Sequence, residues 1–408
     1  MKRRLSIWIW AVCFLGCETH QSTERIFDRG PMSPDVAVTH DGHGGNAPHV
    51  FGRQAHDAQG FPDTLGITVD RAVDLETVEQ ADAFAPHTLD MMVPRVDFAV
   101  VEPDASSTTP AVSTVSSQPR YDVRVTRDVV YGQGVTRPDW TSPHGEVFDL
   151  LLDAYEPIGA PAQGKPVLIA IHGGGFTGGH RRQAQIVAFC EYFAQRGWVT
   201  FSIDYRLARH RGQVPADWPV FPGVQNVNQY LAMYVAARDA KAAVRWVHAH
   251  VDHYGIHPDY ITALGGSAGS FLAIMLGVSD PSDYRDEISV DEDPTLASTH
   301  LEARSDVATV IDHWGGASLL HVLLLQDGSH RFDADDAPIS IVHGRDDRTV
   351  TFDQGEDVRN LCMAAGLDHE FYPFQGGHAA WGTRIHGLHL TELAFEFVVS
   401  RQSLNVQE

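Results

Sequence analysis

The stretch Ala263-Leu264-Gly265-Gly266-Ser267-Ala268-Gly269-Ser270 decides how this chain is read. It follows an apolar, β-prone run from Tyr260 to Leu264 and leads into a helix-compatible run from Phe271 to Val278. A glycine-x-serine-x-glycine sequence between a strand and a helix sets the serine on a sharp turn, its hydroxyl exposed at the top of a sheet. Glycines flank the serine because the turn is strained and the neighbouring backbone leaves no room for a Cβ. The chain holds 36 glycines, so the pattern alone can arise by chance. Its partners up and down the chain decide the case.

Upstream, Ile171-His172-Gly173-Gly174-Gly175-Phe176 follows the buried-strand run Pro166 to Ile171. Three successive glycines let backbone N–H groups turn toward a bound oxygen without side-chain obstruction. With the amide of Ala268, the residue after the serine, Gly173, Gly174 and Gly175 form a candidate oxyanion hole. One such donor is worth about 3 kcal/mol of transition-state stabilisation. A phosphate loop reads less well, because neither G-K-[ST] nor a helix-opening G-x-G-x-x-G is present.

Downstream, Pro338 to Val342 reads as a strand that ends in His343-Gly344-Arg345-Asp346-Asp347. The H-G-x-x-D spacing selects Asp347 over Asp346. Gly376-Gly377-His378 follows the last strand-like run, and a loop histidine there can reach between serine and acid. The 23 histidines make any one of them a poor candidate by chance. The order Ser267, Asp347, His378, each just after a strand, singles out His378 over the later His386 and His389. These residues suit nucleophile, orienting acid and general base in turn.

The sequence resembles the α/β-hydrolase superfamily, specifically its carboxylesterase/lipase branch with an H-G-G-G oxyanion motif, from about Tyr121 to the end. Asp204-Tyr205-Arg206-Leu207, Arg238-Asp239 to Trp246, and Tyr254-Gly255-Ile256-His257-Pro258 look like scaffold elements of that family. The hormone-sensitive-lipase-like branch usually carries an acidic residue and a second glycine where Gly266 and Ser270 stand here. The resemblance implies hydrolysis of a small-molecule or polymer-borne carboxylic ester, through an acyl-enzyme and without a cofactor. A serine peptidase of the prolyl-oligopeptidase kind, a polysaccharide deacylase or feruloyl-type esterase, and a non-catalytic surface binding module are the alternatives.

The rest of the chain fits an α/β domain. Residues 122–131 and 147–155 alternate like half-exposed strands and suit an antiparallel edge. From Lys165 onward, apolar runs alternate with helical ones, which implies a mostly parallel, doubly wound sheet of about eight strands with helices on both faces. Two positions carry ambiguous roles. Residues 211–226, with Trp218 and Phe221, suit a lid or a packed loop, and His313 and Trp314 suit a pocket wall or core. His250, His253 and His257 fall at spacings that would share a helical face, for which a solvated face is preferred to a metal site.

The chain has 408 residues, 43% of them hydrophobic and 20% charged, with a formal net charge of -23 that disfavours nucleic acid and anionic membrane surfaces. Residues 1–17 read as an export leader, and Phe14-Leu15-Gly16-Cys17 resembles a bacterial lipobox in which Cys17 is lipidated. The protein is then exported and held by a lipid anchor only, in the periplasm or at the cell surface; an ordinary cleaved signal would leave it secreted. Residues 18–118, with scattered His40, His43, His49 and His56, read as a disordered tether, and 119–408 as the catalytic domain. Cys190 and Cys362 suit buried free thiols or, in an oxidising compartment, a disulfide.

Overall fold

The structure, a computed structural model, describes residues 111–221 and 224–408. The leader, Cys17, the four scattered histidines and the tether up to residue 110 lie outside the described residues. An eight-stranded sheet forms the body: β1 (Asp122–Thr136), β2 (Glu146–Ile158), β3 (Lys165–Ile171), β4 (Val199–Ile203), β5 (Ile256–Gly266), β6 (Thr309–His313), β7 (Ile339–Gly344) and β8 (His369–Phe374). Their spatial order is β1-β2-β4-β3-β5-β6-β7-β8. The β1–β2 and β2–β4 pairs are antiparallel, and every later pair is parallel.

Every residue of β3, β4, β6 and β7 is buried. Strands covered on both faces lose the solvent-facing alternation of an edge strand, so these runs are largely apolar and their few polar side chains, among them Thr200, Ser202, Asp312 and His343, are buried as well. Each fully buried Ile, Leu or Val contributes roughly 1.5–3 kcal/mol. Helices α1 (Ala184–Ala194) and α6 (Leu390–Arg401) cover one face around Phe193 and Trp198. Helices α2 (Val227–Ala249), α3 (Ala268–Val278), α4 (Ser318–Asp327) and α5 (Phe352–Ala365) cover the other. Asn226 starts α2 by accepting the Gln229 amide at 3.1 Å.

The two scaffold motifs meet in a buried ion pair. The Arg206 guanidinium binds Asp239 at 2.7 and 3.0 Å, and the Arg206 amide donates to the same carboxylate at 2.8 Å. Removing either partner strands a buried charge, at a cost of about 3–5 kcal/mol.

Two expectations change and one alternative closes. The fold begins before residue 119: Val115 is fully buried, and Val115–Ser116 pairs in parallel with Val406–Gln407. Cys190 and Cys362 are free and buried, on opposite faces of the sheet, so no disulfide joins them. His257 lies in β5 rather than on a helix, because Gly255 at φ 59° ends the helical turn Val251–Tyr254. Among the described residues no group of three His, Cys, Asp or Glu side chains is placed to hold a metal ion. Residues 211–221 pack: Trp218 is buried against Tyr234, with ring centroids 4.5 Å apart, and Tyr230 donates to the Pro219 carbonyl at 2.5 Å.

Candidate active site

All the singled-out residues follow the C-terminal ends of parallel strands. In register, Ile171 of β3 stands beside Gly265 of β5, and Gly344 of β7 beside Phe374 of β8. The glycine run, the elbow, the acid loop and the histidine loop therefore open on one edge of the sheet.

Ser267 has φ 55° and ψ -124°, a backbone state that L-residues avoid. Such strain costs about 1–3 kcal/mol and persists only where the surroundings over-determine it. Here the Ser267 amide donates to the His313 carbonyl at 2.9 Å. Ser270 adds a second tie: its hydroxyl donates to Gly265 O at 2.8 Å and accepts from the His313 amide at 2.8 Å. The residue that departs from the familiar glycine thus stitches the elbow to β6. A Cβ at position 269 would lie 2.8 Å from the His172 carbonyl oxygen, so elbow and glycine run pack backbone to backbone.

Ser267, His378 and Asp347 form one hydrogen-bonded line. The His378 Nε2 to Ser267 Oγ distance is 2.9 Å, and Nδ1 lies 2.7 Å from Asp347 Oδ2. The other Asp347 oxygen accepts the amides of Thr349 at 2.8 Å and Val350 at 3.0 Å. An Asp347 so held is an acceptor, so Nδ1 carries the imidazole proton and Nε2 faces the serine hydroxyl. Asp346 points to solvent and takes the Gln375 side chain instead. His386 and His389 are exposed and bond neither Ser267 nor Asp347. His343 is buried, with Nε2 donating to Val350 O at 2.9 Å, and burial lowers its pKa.

The glycine run is fixed through its carbonyls. His172 O accepts the Tyr205 hydroxyl at 3.0 Å, and Gly173 O the His172 Nδ1–H at 2.8 Å. Gly174 O accepts the amides of Thr177 at 3.1 Å and Gly178 at 3.0 Å, and Gly175 O accepts Gln229 Nε2 at 2.8 Å. Among the described residues, the amides of Gly173, Gly174, Gly175 and Ala268 have no protein acceptor. A Cβ at Gly173 would sit 3.3 Å from Ser267 Cβ, which measures how near the run lies to Ser267. Burial pushes the His172 pKa down to about 4, so the ring is neutral and stacks on Tyr205 with centroids 4.2 Å apart.

A charged network grips the segment beyond the glycines. Arg181 binds Asp153 at 2.9 Å and also pairs with Asp204 and Asp128. Arg182 binds Asp153 at 2.6 Å and Asp128 at 2.7 Å. Asp128 reaches them from a bulge in β1, where the register shifts between Thr126 and Val129 and Asp128 takes φ 59°. Although burial opposes its charge, the hydrogen bonds from Arg182 and Arg181 hold the Asp153 carboxyl well below the usual carboxylate range.

His313 and Trp314 are core residues, 1% and 0% exposed, and burial takes the His313 pKa down to about 3. Sequence reasoning missed Gln229, Arg181, Asp153 and Trp381. The paired arginines after the glycine run were the one available signal, since cations in a buried turn require nearby carboxylates.

The sheet order, the serine elbow and the loop residues at the strand ends define an α/β hydrolase. The BD-FAE family model matches residues 152–331, from β2 through the elbow. The chain is similar to the probable carboxylic ester hydrolase LipM of Mycobacterium tuberculosis, 28% identical over 210 residues covering 46% of this chain and 43% of that protein. It is similar to esterase LipC of the same organism, 30% identical over 202 residues covering 49% and 41%. The chain spans less than half the length of these relatives. A solved esterase, Est2 of Thermogutta terrifontis, aligns at 26% identity and a TM-score of 0.49, covering 71% of this chain and 97% of that one. Over these residues the chain is similar to carboxylic ester hydrolases that share the α/β-hydrolase fold.

Proposed function

We propose that this chain hydrolyses carboxylic esters, with Ser267 as nucleophile, His378 as general base and acid, and Asp347 as the orienting acid. The observation that carries this reading is the unbroken hydrogen-bonded line from Ser267 through His378 to Asp347, set beside amides that lack a protein acceptor. The names of the relatives LipM and LipC, a probable carboxylic ester hydrolase and an esterase, support the reaction class.

In the first half-reaction Ser267 Oγ attacks the ester carbonyl carbon while its proton passes to His378 Nε2. The oxygen that gains charge is held by amides among Gly173, Gly174, Gly175 and Ala268. The tetrahedral centre collapses, the C–O bond to the alcohol breaks, and His378 returns the proton to the departing oxygen. In the second half, water attacks the acyl-serine carbonyl and gives a proton to His378. The acid leaves and Ser267 regains its hydrogen. Ester, water and these groups supply every atom, so the cycle calls for no cofactor. Membrane anchoring through lipidated Cys17, in the periplasm or at the cell surface, belongs to the same proposal, and labelling with radioactive palmitate that survives Cys17→Ser would end it.

The test of the reaction is a p-nitrophenyl ester series from acetate to palmitate, supplied to the full chain and to Ser267→Ala. Turnover that the variant abolishes supports the reading, and the chain-length profile separates esterase from lipase. A folded parent that turns over no ester in the series overturns it.

A further inference from the structure

Trp381 stands three residues beyond His378, on the same loop, and its indole lies against the residue before the nucleophile. A Cβ added at Gly266 would sit 2.5 Å from Trp381 Cζ2, well inside contact. The nearest atom outside Trp381, Trp314 Nε1, is 3.7 Å away, and the Gly266 backbone lies outside the left-handed region. An alanine at 266 therefore strains no dihedral and meets Trp381 alone.

The indole has little freedom to move aside. It is boxed by Trp314 at a centroid distance of 4.8 Å, His313 at 5.4 Å and Phe189 at 6.1 Å. These three residues are themselves 0–3% exposed. Edge-on aromatic contacts of this kind are each worth about 0.5–1.5 kcal/mol beyond the area they bury. Between Trp381 and His378 the chain is tight as well. Ala379 has φ 56°, and the Trp381 amide donates to the Ala379 carbonyl at 2.8 Å. A shift of the indole is thus passed to the imidazole through two residues.

Seen from the elbow, the absence of a side chain at 266 is what admits the indole. The acidic residue that the related branch carries there would occupy the same space.

We propose that Trp381 is a positioning residue: seated on the bare backbone of Gly266, it locks the histidine loop to the nucleophile elbow and sets the distance between Ser267 Oγ and His378 Nε2. The proposal rests on the esterase reading above and adds to it the part that holds base and nucleophile in register. Displacement of a catalytic group by about 1 Å costs on the order of 100-fold in rate. Gly266→Ala acts on that distance without touching substrate.

The test uses the full chain and four proteins: parent, Gly266→Ala, Trp381→Phe and the double variant. Phenylalanine lacks the outer ring atoms that an alanine Cβ would strike. Gly266→Ala is expected to lower kcat for p-nitrophenyl acetate about 100-fold with KM within about twofold. The double variant is expected to recover to within about 10-fold of the parent, above Gly266→Ala alone. Melting temperatures of the four proteins read the same contact without reference to activity.

Gly266→Ala within twofold of the parent overturns the proposal, as do kcat losses that simply multiply in the double variant. Coupling in melting temperature without coupling in kcat also overturns it, since the contact is then structural only. If the parent turns over no ester, the esterase reading falls by itself. The lock is then judged by the rate at which a fluorophosphonate probe labels Ser267 in the four proteins, with the same order expected. An unlabelled parent overturns both.

Discussion

On the oxyanion side, neutral hydrogen bonds hold the carbonyls of the glycine run, and the segment just beyond it is held by charge, through Arg181 and Arg182 locked among Asp128, Asp153 and Asp204. On the acid-base side, the Asp347 and His378 loops are held by backbone hydrogen bonds and aromatic packing. Arg345 N donates to Phe374 O at 2.8 Å, Asp346 N to Gly376 O at 2.9 Å, and Trp381 sits on Gly266. The two sides share a task, fixing a polar group within a fraction of an ångström of Ser267. The difference follows from where the chain comes from. The segment between the glycine run and α1 reaches past β4 to the antiparallel edge hairpin, whose strands offer Asp128 and Asp153. The acid and histidine loops leave adjacent parallel strands, so neighbouring backbones can bond each other directly.

The largest effect is expected at the orienting acid of the proposed triad. Asp347→Asn keeps the shape but removes the acceptor that fixes the imidazole tautomer, and kcat should fall about 10⁴-fold with the melting temperature little changed. A loss below about tenfold would give the orienting role to another acid. Breaking the charged side comes next. Arg181→Gln strands part of the buried Asp153 charge, so unfolding titrations should show a loss of about 3 kcal/mol, with a fall in kcat alongside. Unchanged kcat at that cost in stability would separate the network from the glycine run. A milder break is Gln229→Leu, which removes the hydrogen bond to the Gly175 carbonyl. A bond of that kind is worth about 1 kcal/mol, so kcat should drop about 5-fold with KM nearly constant.

The smallest effect sharpens the contrast through pH. Burial raises the pKa of Asp312, beneath the elbow, to about 7. An acid raised in the folded state stabilises the fold fully below its unfolded value near 4, and that contribution is lost as the pH climbs to about 7. Asp312→Asn should therefore leave the melting temperature unchanged at pH 4 and raise it by a few degrees at pH 8. His172 runs the other way. Its lowered pKa makes the glycine side lose stability as the pH falls from about 6.5 to 4. An Asp312→Asn variant less stable than the parent at pH 8 would show that the charged form is tolerated there.

Much of this was legible in the chain itself, for physical reasons. Strands buried on both faces are largely apolar, so the runs of β3 to β7 stand out, and a serine on a strained turn needs its glycines. What was not legible depends on placement between distant segments. Asp128 sits in an ordinary alternating strand, and only the bulge turns it toward Arg181. Gln229 reads as one more helix residue until α2 brings it beside Gly175. Helix α4, Ser-Leu-Leu-His-Val-Leu-Leu-Leu-Gln-Asp, was missed because leucine nearly all round leaves no periodic polar face. Val115–Ser116 is too short to carry any period at all. Gly266 looked like a departure from a pattern, and its reason, the indole of Trp381, lies 115 residues away in sequence.

The most direct measurement of the central claim is steady-state hydrolysis of the p-nitrophenyl ester series by the full chain beside Ser267→Ala, with folding of both checked by circular dichroism. Turnover of at least one ester by the parent is expected, with the variant at the uncatalysed background rate. Equal rates in parent and variant, or no turnover by a folded parent, would contradict it.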